Sequence, residues 1–509
     1  MEILLGLLVS LVLTSAVLLV HLYKAIRAGN KRLPLPPGPP GLPIVGNLFD
    51  IPRTTPWIGY RDMSKKYGSL MCLRALGRTV IVIGDARTAV DLLEKRSVTY
   101  ADRPVLNVVR LTGWDWNFVF ARYGQRWRER RRMFWQYFRP DAVCNYRERQ
   151  RDGVQRLLSG LLASPQKLSE HLRFSLTAIV LGSIYGMEIA EEDPHIATFE
   201  KGLESIEFLI SSSLLEYVPA IVGRVPAWLP GTGVLRRVAE IREAVSSIRN
   251  TPWGYSKDAS RTGDRQHCIA HSIIERLSHA EDEVNLAHAQ EDIAKDAAGT
   301  AYAAAVDTQF ATLQRFFVAM SLYPDVQRKA QAELEQVIGQ NRMPEAEDRD
   351  RLPYVNALIK ETLRWYPALP TGVARSALTD DEYNGYRIPK GATVILNAWA
   401  IMHDDKVYPD PERFSPERFL KDGAVDPEVM DPASLVFGIG RRICPGRYFA
   451  DTTMFALIAS VLHSFEISPR LDDDGRPVAT RPHAATGIIS RFEDWHCTVK
   501  PRSSLETEI

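Results

Sequence analysis

The chain has 509 residues, 45% hydrophobic and 25% charged, the balance of a globular protein and not of a disordered or fibrous one. Lys and Arg total 63 against 62 Asp and Glu, a net charge of +1, so no basic excess exists to hold nucleic acid. Five cysteines (Cys72, Cys144, Cys268, Cys444 and Cys497) lie far apart and odd in number, which excludes a disulfide scaffold.

Residues 3–23 form one apolar run, about 20 residues and roughly 30 Å as a helix, enough to cross a bilayer's hydrocarbon. A cleaved signal peptide and a retained anchor compete for this segment. A signal peptide carries positive charge before its apolar run. Here Glu2 precedes the run, and Lys24, Arg27, Lys31 and Arg32 follow it. Positive charge prefers the cytoplasmic side. The pattern therefore favours a single-pass anchor over residues 1–23, with the remainder in the cytosol. No Asn-x-Ser/Thr sequon occurs, which agrees with that side. Residues 24–46 form a basic, proline-rich linker. Proline fixes φ and removes backbone donors, so Pro34 to Pro43 reads as a stiff extended spacer.

From 47 to 509 no composition break, repeat or low-complexity run appears, so one domain is expected. Strand patterns fall at 70–75, 80–83, 386–388 and 393–396. Helical spacing falls at 86–95, 126–138, 294–322, 326–337 and 353–365. The fold class is therefore mainly α with small β-sheets to one side. Three features stand out along these elements. Residues 126–132 are strongly basic, which alone describes a solvated helix face. Asp307 and Thr308 sit mid-helix, which alone describes a back-bonded threonine beside a solvated acid. Glu361 and Arg364, three apart, share a helix face and can pair, though an exposed pair is worth little. The element Pro-Glu-Arg-Phe then occurs twice in tandem, carrying Arg413 and Arg418.

The sharpest signal is the loop from Phe437 to Gly446, where Gly438, Gly440 and Gly446 surround Cys444. Glycine permits positive φ and close backbone approach. Such a loop can aim N–H groups at sulfur and stabilise a thiolate. The apolar helix expected at 448–462 begins just after it, and a helix N-terminus favours negative charge. These residues alone also suit a plain buried cysteine in a glycine-rich turn.

The loop matches the pattern FxxGxRxCxG at Phe437, Gly440, Arg442, Cys444 and Gly446, and in it the chain resembles the cytochrome P-450 superfamily. The resemblance implies that Cys444 is the axial thiolate ligand of a haem iron (heme b, iron protoporphyrin IX), with Phe437, Gly440 and Gly446 shaping the cofactor loop. Glu361 and Arg364 match the family's ExxR, and residues 416–419 its PERF element. They imply a structural triad of Glu361, Arg364 and Arg418, with Arg413 as runner-up. Trp127 and Arg131 match WxxxR. With Arg375 and Arg442 they are implied to meet the haem propionates, whose geometry suits a guanidinium fork. Residues 304–308 resemble (A/G)Gx(D/E)T, with Ala305 where relatives carry glycine, a methyl that would crowd oxygen beside the iron. Thr308 is implied to hydrogen-bond iron-bound oxygen and Asp307 to relay protons. The likeness spans nearly the whole chain and is nearest to microsomal fungal enzymes of specialised metabolism.

A monooxygenase at the endoplasmic reticulum membrane follows from the resemblance. Electrons from NADPH would arrive through NADPH-cytochrome P-450 reductase, with cytochrome b5 as a second donor. Arg128 and Arg132 would offer a basic face to such an acidic partner. Family topology implies a pocket lined from 105–120, 208–215, 301–308, 368–374 and 486–489. Val108, Val109, Leu111, Phe118, Phe208, Ala301, Ala304, Leu369, Val373 and Ile488 make it apolar, which implies a hydrophobic small-molecule substrate. A terpenoid is the first expectation, and an aromatic, indole or polyketide scaffold the next. Residues 225–230 either dip into the membrane or form a buried loop. A redox-neutral haem-thiolate isomerase or dehydratase and a haem sensor are the rival functions.

Overall fold

Alternating apolar residues build the sheet. β1 (Leu70–Ala75) and β2 (Arg78–Ile83) pair antiparallel, with Leu70 opposite Ile83. Leu76 and Gly77 join them at φ +48° and +79°, the two positive values that a tight hairpin turn needs. Further strands are β3 (Arg375–Ser376), β4 (Asp381–Tyr383), β5 (Tyr386–Ile388), β6 (Thr393–Leu396), β7 (Phe465–Pro469) and β8 (Cys497–Pro501), and Leu420–Lys421 and Ala424–Val425 form a separate two-residue pair. The main sheet runs β1-β2-β6-β3, with β2 and β6 parallel. A computed structural model describes residues 33–502 apart from 191–195, 197–199, 204, 206–232, 264–267, 279–283, 473, 479–483 and 494. The anchor at 1–23, the first part of the linker (24–32), and the segments 208–215 and 225–230 lie outside the described residues. Among those described, no helix is long and apolar enough to cross a membrane.

The helices are α1 (Pro56–Tyr67), α2 (Gln125–Phe138), α3 (Arg147–Ala163), α4 (Leu168–Tyr185), α5 (Gly233–Thr262), α6 (Ile269–Ser278), α7 (Val284–Leu322), α8 (Pro324–Ile338), α9 (Pro353–Trp365), α10 (Ala398–Met402) and α11 (Arg447–Ser464). α7 is the axis, with α2, α4, α5, α6, α9 and α11 packed on it. Its 39 residues span roughly 60 Å. From Gln309 to Ser321 every residue is buried, so no polar stripe marks this half of the helix. α7 begins ten residues before the apolar pattern starts at 294, because its first turns are polar. The segment 86–95 is not one α-helix: an α-turn over Ala86–Val90 gives way to a π-turn over Asp91–Lys95. The Arg96 N–H reaches back five residues to Asp91 O at 3.2 Å. α9 starts on Pro353, and the Glu333 carboxylate of α8 accepts the Tyr354 and Val355 N–H groups at 2.8 and 2.9 Å. That cap satisfies orphan donors and sets the height of the side chains on α9.

Asp296 on α7 is fully buried and joins three helices. It accepts Arg130 of α2 at 2.6 Å and Arg249 of α5 at 2.7 Å. Asp296→Asn leaves the shielded Arg130 without its acid, while Arg249 keeps Asp292 at 2.9 Å, so a loss of about 3 kcal/mol in stability is expected, read as a lower denaturant midpoint. An unchanged midpoint would show the cluster to be idle. His403, just past α10, stacks on Trp399 at 3.9 Å. Burial, then Arg364, lowers its pKa from 6.5 to about 3. The unfolded chain therefore takes up a proton that the fold refuses. Stability is lost as pH falls from 6.5 toward 3. His403→Asn should flatten that part of the urea-midpoint profile against pH.

Candidate cofactor site

The cysteine loop is set by backbone. Gly438 and Gly440 adopt φ +76° and +60°. A Cβ on Gly440 would stand 2.2 Å from Leu93 O, so glycine is required there. That carbonyl belongs to the π-turn at 91–95, so the cysteine loop packs directly on it. The Cys444 N–H donates to Phe437 O at 2.7 Å, closing the loop. Cys444 is part-buried, and α11 starts three residues later. Burial raises the pKa of its thiol, while the Gly446 N–H, Arg131 and Arg447 act in the opposite sense.

Arginines surround this loop. The Arg442 guanidinium lies 4.5 Å over the Trp127 ring and bonds the carbonyls of Ala101, Phe118 and Ala121. Arg131 lies 5.8 Å from the same ring. Arg375 donates to Ile439 O at 2.6 Å. Sequence reasoning passed over Arg103, which donates to Val119, Val373 and Ala374. Burial, then Arg442 and Arg375, pushes its pKa well below the ordinary value. Burial also brings Arg131 and Arg375 to about 10 and Arg442 to about 9. With values of about 9 to 10, Arg131, Arg375 and Arg442 keep their charge at neutral pH. Among the described residues no carboxylate lies within ion-pair distance of any of them. Asp102, the nearest acid, is held by Arg122 at 2.7 Å and by the Tyr123 N–H. Arg103, Arg375 and Arg442 are buried cations bonded only to carbonyls, with Arg131 half-buried beside them, and such a set fits an anion with carboxylate arms, of which a haem has two.

Behind the loop lies a different ionic cluster. Glu361 and Arg364 are fully buried and joined twice, at 2.7 and 2.9 Å. Arg418 Nε reaches Glu361 at 3.1 Å, and the Ser415 N–H reaches it at 2.8 Å. Arg413 contributes its carbonyl, accepting from Arg364 and Arg418, and not its side chain. Here both guanidinium groups share one carboxylate, that of Glu361.

On α7, Ala304 is exposed and Ala305 and Thr308 half-buried, although Ala303, Val306 and Asp307 are buried. Open space therefore borders one stripe of the helix, at i, i+1 and i+4. The Thr308 hydroxyl donates to Ala304 O at 2.9 Å. Asp307 points elsewhere and is not solvated: Arg173 and Arg491 hold the same carboxylate oxygen at 3.0 and 2.9 Å. Neither arginine was visible in sequence, since 134 residues separate Arg173 from Asp307. Other segments close in. The Phe118 N–H donates to Thr300 at 3.4 Å, and the Ser490 N–H to Ala368 O at 2.9 Å. Val108, Val109, Phe118 and Ala301 are buried, whereas Leu369, Val373 and Ile488 are part-exposed.

The sequence model of the cytochrome P-450 family matches residues 36–489. The chain is 38% identical to the cytochrome P-450 monooxygenase COX2 of Coprinopsis cinerea, over 95% of this chain and 92% of that one. It is 36% identical to COX1 of the same fungus, over 97% of each. Its identity to the monooxygenase claR of Ampulloclitocybe clavipes is 36%, over 94% of this chain and 88% of the relative. Matched across nearly its whole length, with a glycine-shaped cysteine loop set among buried arginines, this chain belongs to the cytochrome P-450 family of monooxygenases.

Proposed function

We propose that the protein hydroxylates a hydrophobic small molecule, with haem b held by Cys444. The observation that carries this reading is Cys444 in a loop ringed by Arg103, Arg131, Arg375 and Arg442. When bound, haem supplies oxygen activation, and a thiolate ligand favours O–O cleavage. Cys444 Sγ holds the iron, and the Gly446 N–H and Arg131 steady its negative charge. Sulfur bound to a metal would be held as the thiolate, against the effect of burial. The four arginines take the propionates, and Trp127 packs beneath Arg442. The Thr308 hydroxyl, half-buried on the open stripe, would hydrogen-bond oxygen held at that face and pass it a proton. Asp307, held by two arginines, orients the turn that carries Thr308, and a relay through it would need one of those pairs to open. The Ala305 methyl narrows the space beside it.

The substrate enters an apolar enclosure formed by 108–118, 301–308, 368–374 and 486–489. Apolar walls with few polar groups select an apolar ligand by burial. A terpenoid intermediate of fungal secondary metabolism is the leading class. Residues 1–23 anchor the protein in the endoplasmic reticulum membrane with this domain in the cytosol. The exposed Arg126, Arg128 and Arg132 of α2 face an acidic NADPH-dependent reductase.

Cys444→Ala is expected to abolish the thiolate-type spectrum of the reduced carbon monoxide complex, and an unaltered spectrum would refute the ligand assignment. Thr308→Ala should reduce product formed per NADPH consumed by about tenfold or more, measured with a substrate found by spectral screening. Equal coupling would remove Thr308 from proton delivery. Ala305→Gly should leave the fold intact and change the rate of oxygen binding. Product formed without NADPH and reductase would favour the redox-neutral chemistry instead.

A further inference from the structure

Residues 484–492 form a narrow hairpin, closed by Ala484 pairing with Phe492 and by the Ala485 N–H to Arg491 O bond at 2.7 Å. Its tip, 487–489, is the pocket segment of the proposed function. The second arm is held largely by side chains of α7. Gln314 Nε2 donates to Phe492 O at 3.0 Å, and Gln314 Oε1 accepts the Phe492 N–H at 2.9 Å. The amide thus replaces a neighbouring strand, donor for donor. Gln327 of α8 does the same for Ile467 in β7, at 2.8 Å in both directions. Arg315 donates to Ser490 O and lies 5.1 Å over the Phe492 ring.

Arg315 is fully buried, and among the described residues no carboxylate pairs with it. A shielded guanidinium without a counter-ion is costly in a core. An apolar side chain would fill the same volume. What the arginine adds is a grip on one carbonyl of the hairpin. The same arm carries Arg491, which pairs with Asp307 at 2.9 Å. The hairpin therefore meets α7 at 307, 314 and 315, about two turns apart.

We infer that Gln314 and Arg315 are positioning residues that determine which substrates fit. They fix the register of the hairpin, so that its tip is a rigid wall and Arg491 arrives at Asp307. The inference rests on the pocket reading under the proposed function. Neither residue touches substrate, since both are buried behind the wall.

The test uses the full-length haem-loaded protein and two azoles that ligate iron. Imidazole is too small to reach the wall, whereas clotrimazole presses on it. Gln314→Met keeps the side-chain length and loses both backbone bonds. The clotrimazole Kd should rise about tenfold with the imidazole Kd unchanged. Hydrogen exchange should quicken at 484–492 and not in α9. An unchanged clotrimazole Kd, or equal weakening of both azoles, overturns the inference. Arg491→Met alters a side chain 23% exposed. It should shift the two azoles in the same unequal way, and it decides the matter if Gln314→Met fails to fold. If neither azole shifts the wild-type spectrum, the pocket reading fails and takes the inference with it.

Discussion

Buried positive charge organises this molecule. Arg442 gathers the carbonyls of 101, 118 and 121, Arg103 those of 119, 373 and 374, and Arg375 that of 439. Three stretches of chain that share little secondary structure are thereby wrapped around one centre. Carbonyl dipoles solvate the guanidinium groups without neutralising them. The centre remains short of negative charge, and the cysteine loop stands at its edge. An anionic cofactor such as haem would offset that imbalance.

The Glu361 cluster shows the opposite solution with the same residue types. Its carboxylate takes Arg364, Arg418 and a backbone N–H, so each cation of the cluster has an acid as partner within the fold. It joins α9 to the segment 413–418 and does so through position alone. The Glu333 cap on α9 belongs to the same architecture, since it fixes where Glu361 begins its reach. Compensated charge is structural here, and uncompensated charge marks the place for a ligand.

Periodicity made most of the fold legible. Strands at 70–75, 386–388 and 393–396 and the helix at 353–365 stand at the expected bounds, because Gly, Pro and alternating apolar residues punctuate them. The π-turn at 91–95 was not legible, since the helical spacing of 86–95 runs through it unbroken and Gly440, which packs on it, lies far along the chain. The tandem Pro-Glu-Arg-Phe offered two arginines of similar standing, and distance rather than spacing separates Arg418 from Arg413. Arg103, Arg173 and Arg491 act across long sequence separations, where no local pattern points to them. Around the cysteine, spacing carried the reading because glycine, arginine and sulfur must fall at fixed intervals on one tight loop. Substrate identity is written in shape, and apolar residues spell it only as hydrophobic.

The central claim is that Cys444 sulfur binds the iron within this cationic centre. Iron-edge X-ray absorption of the purified, haem-loaded protein tests it most directly. The account predicts one sulfur atom bonded to iron alongside the four porphyrin nitrogens. A coordination sphere of nitrogen and oxygen alone would contradict it.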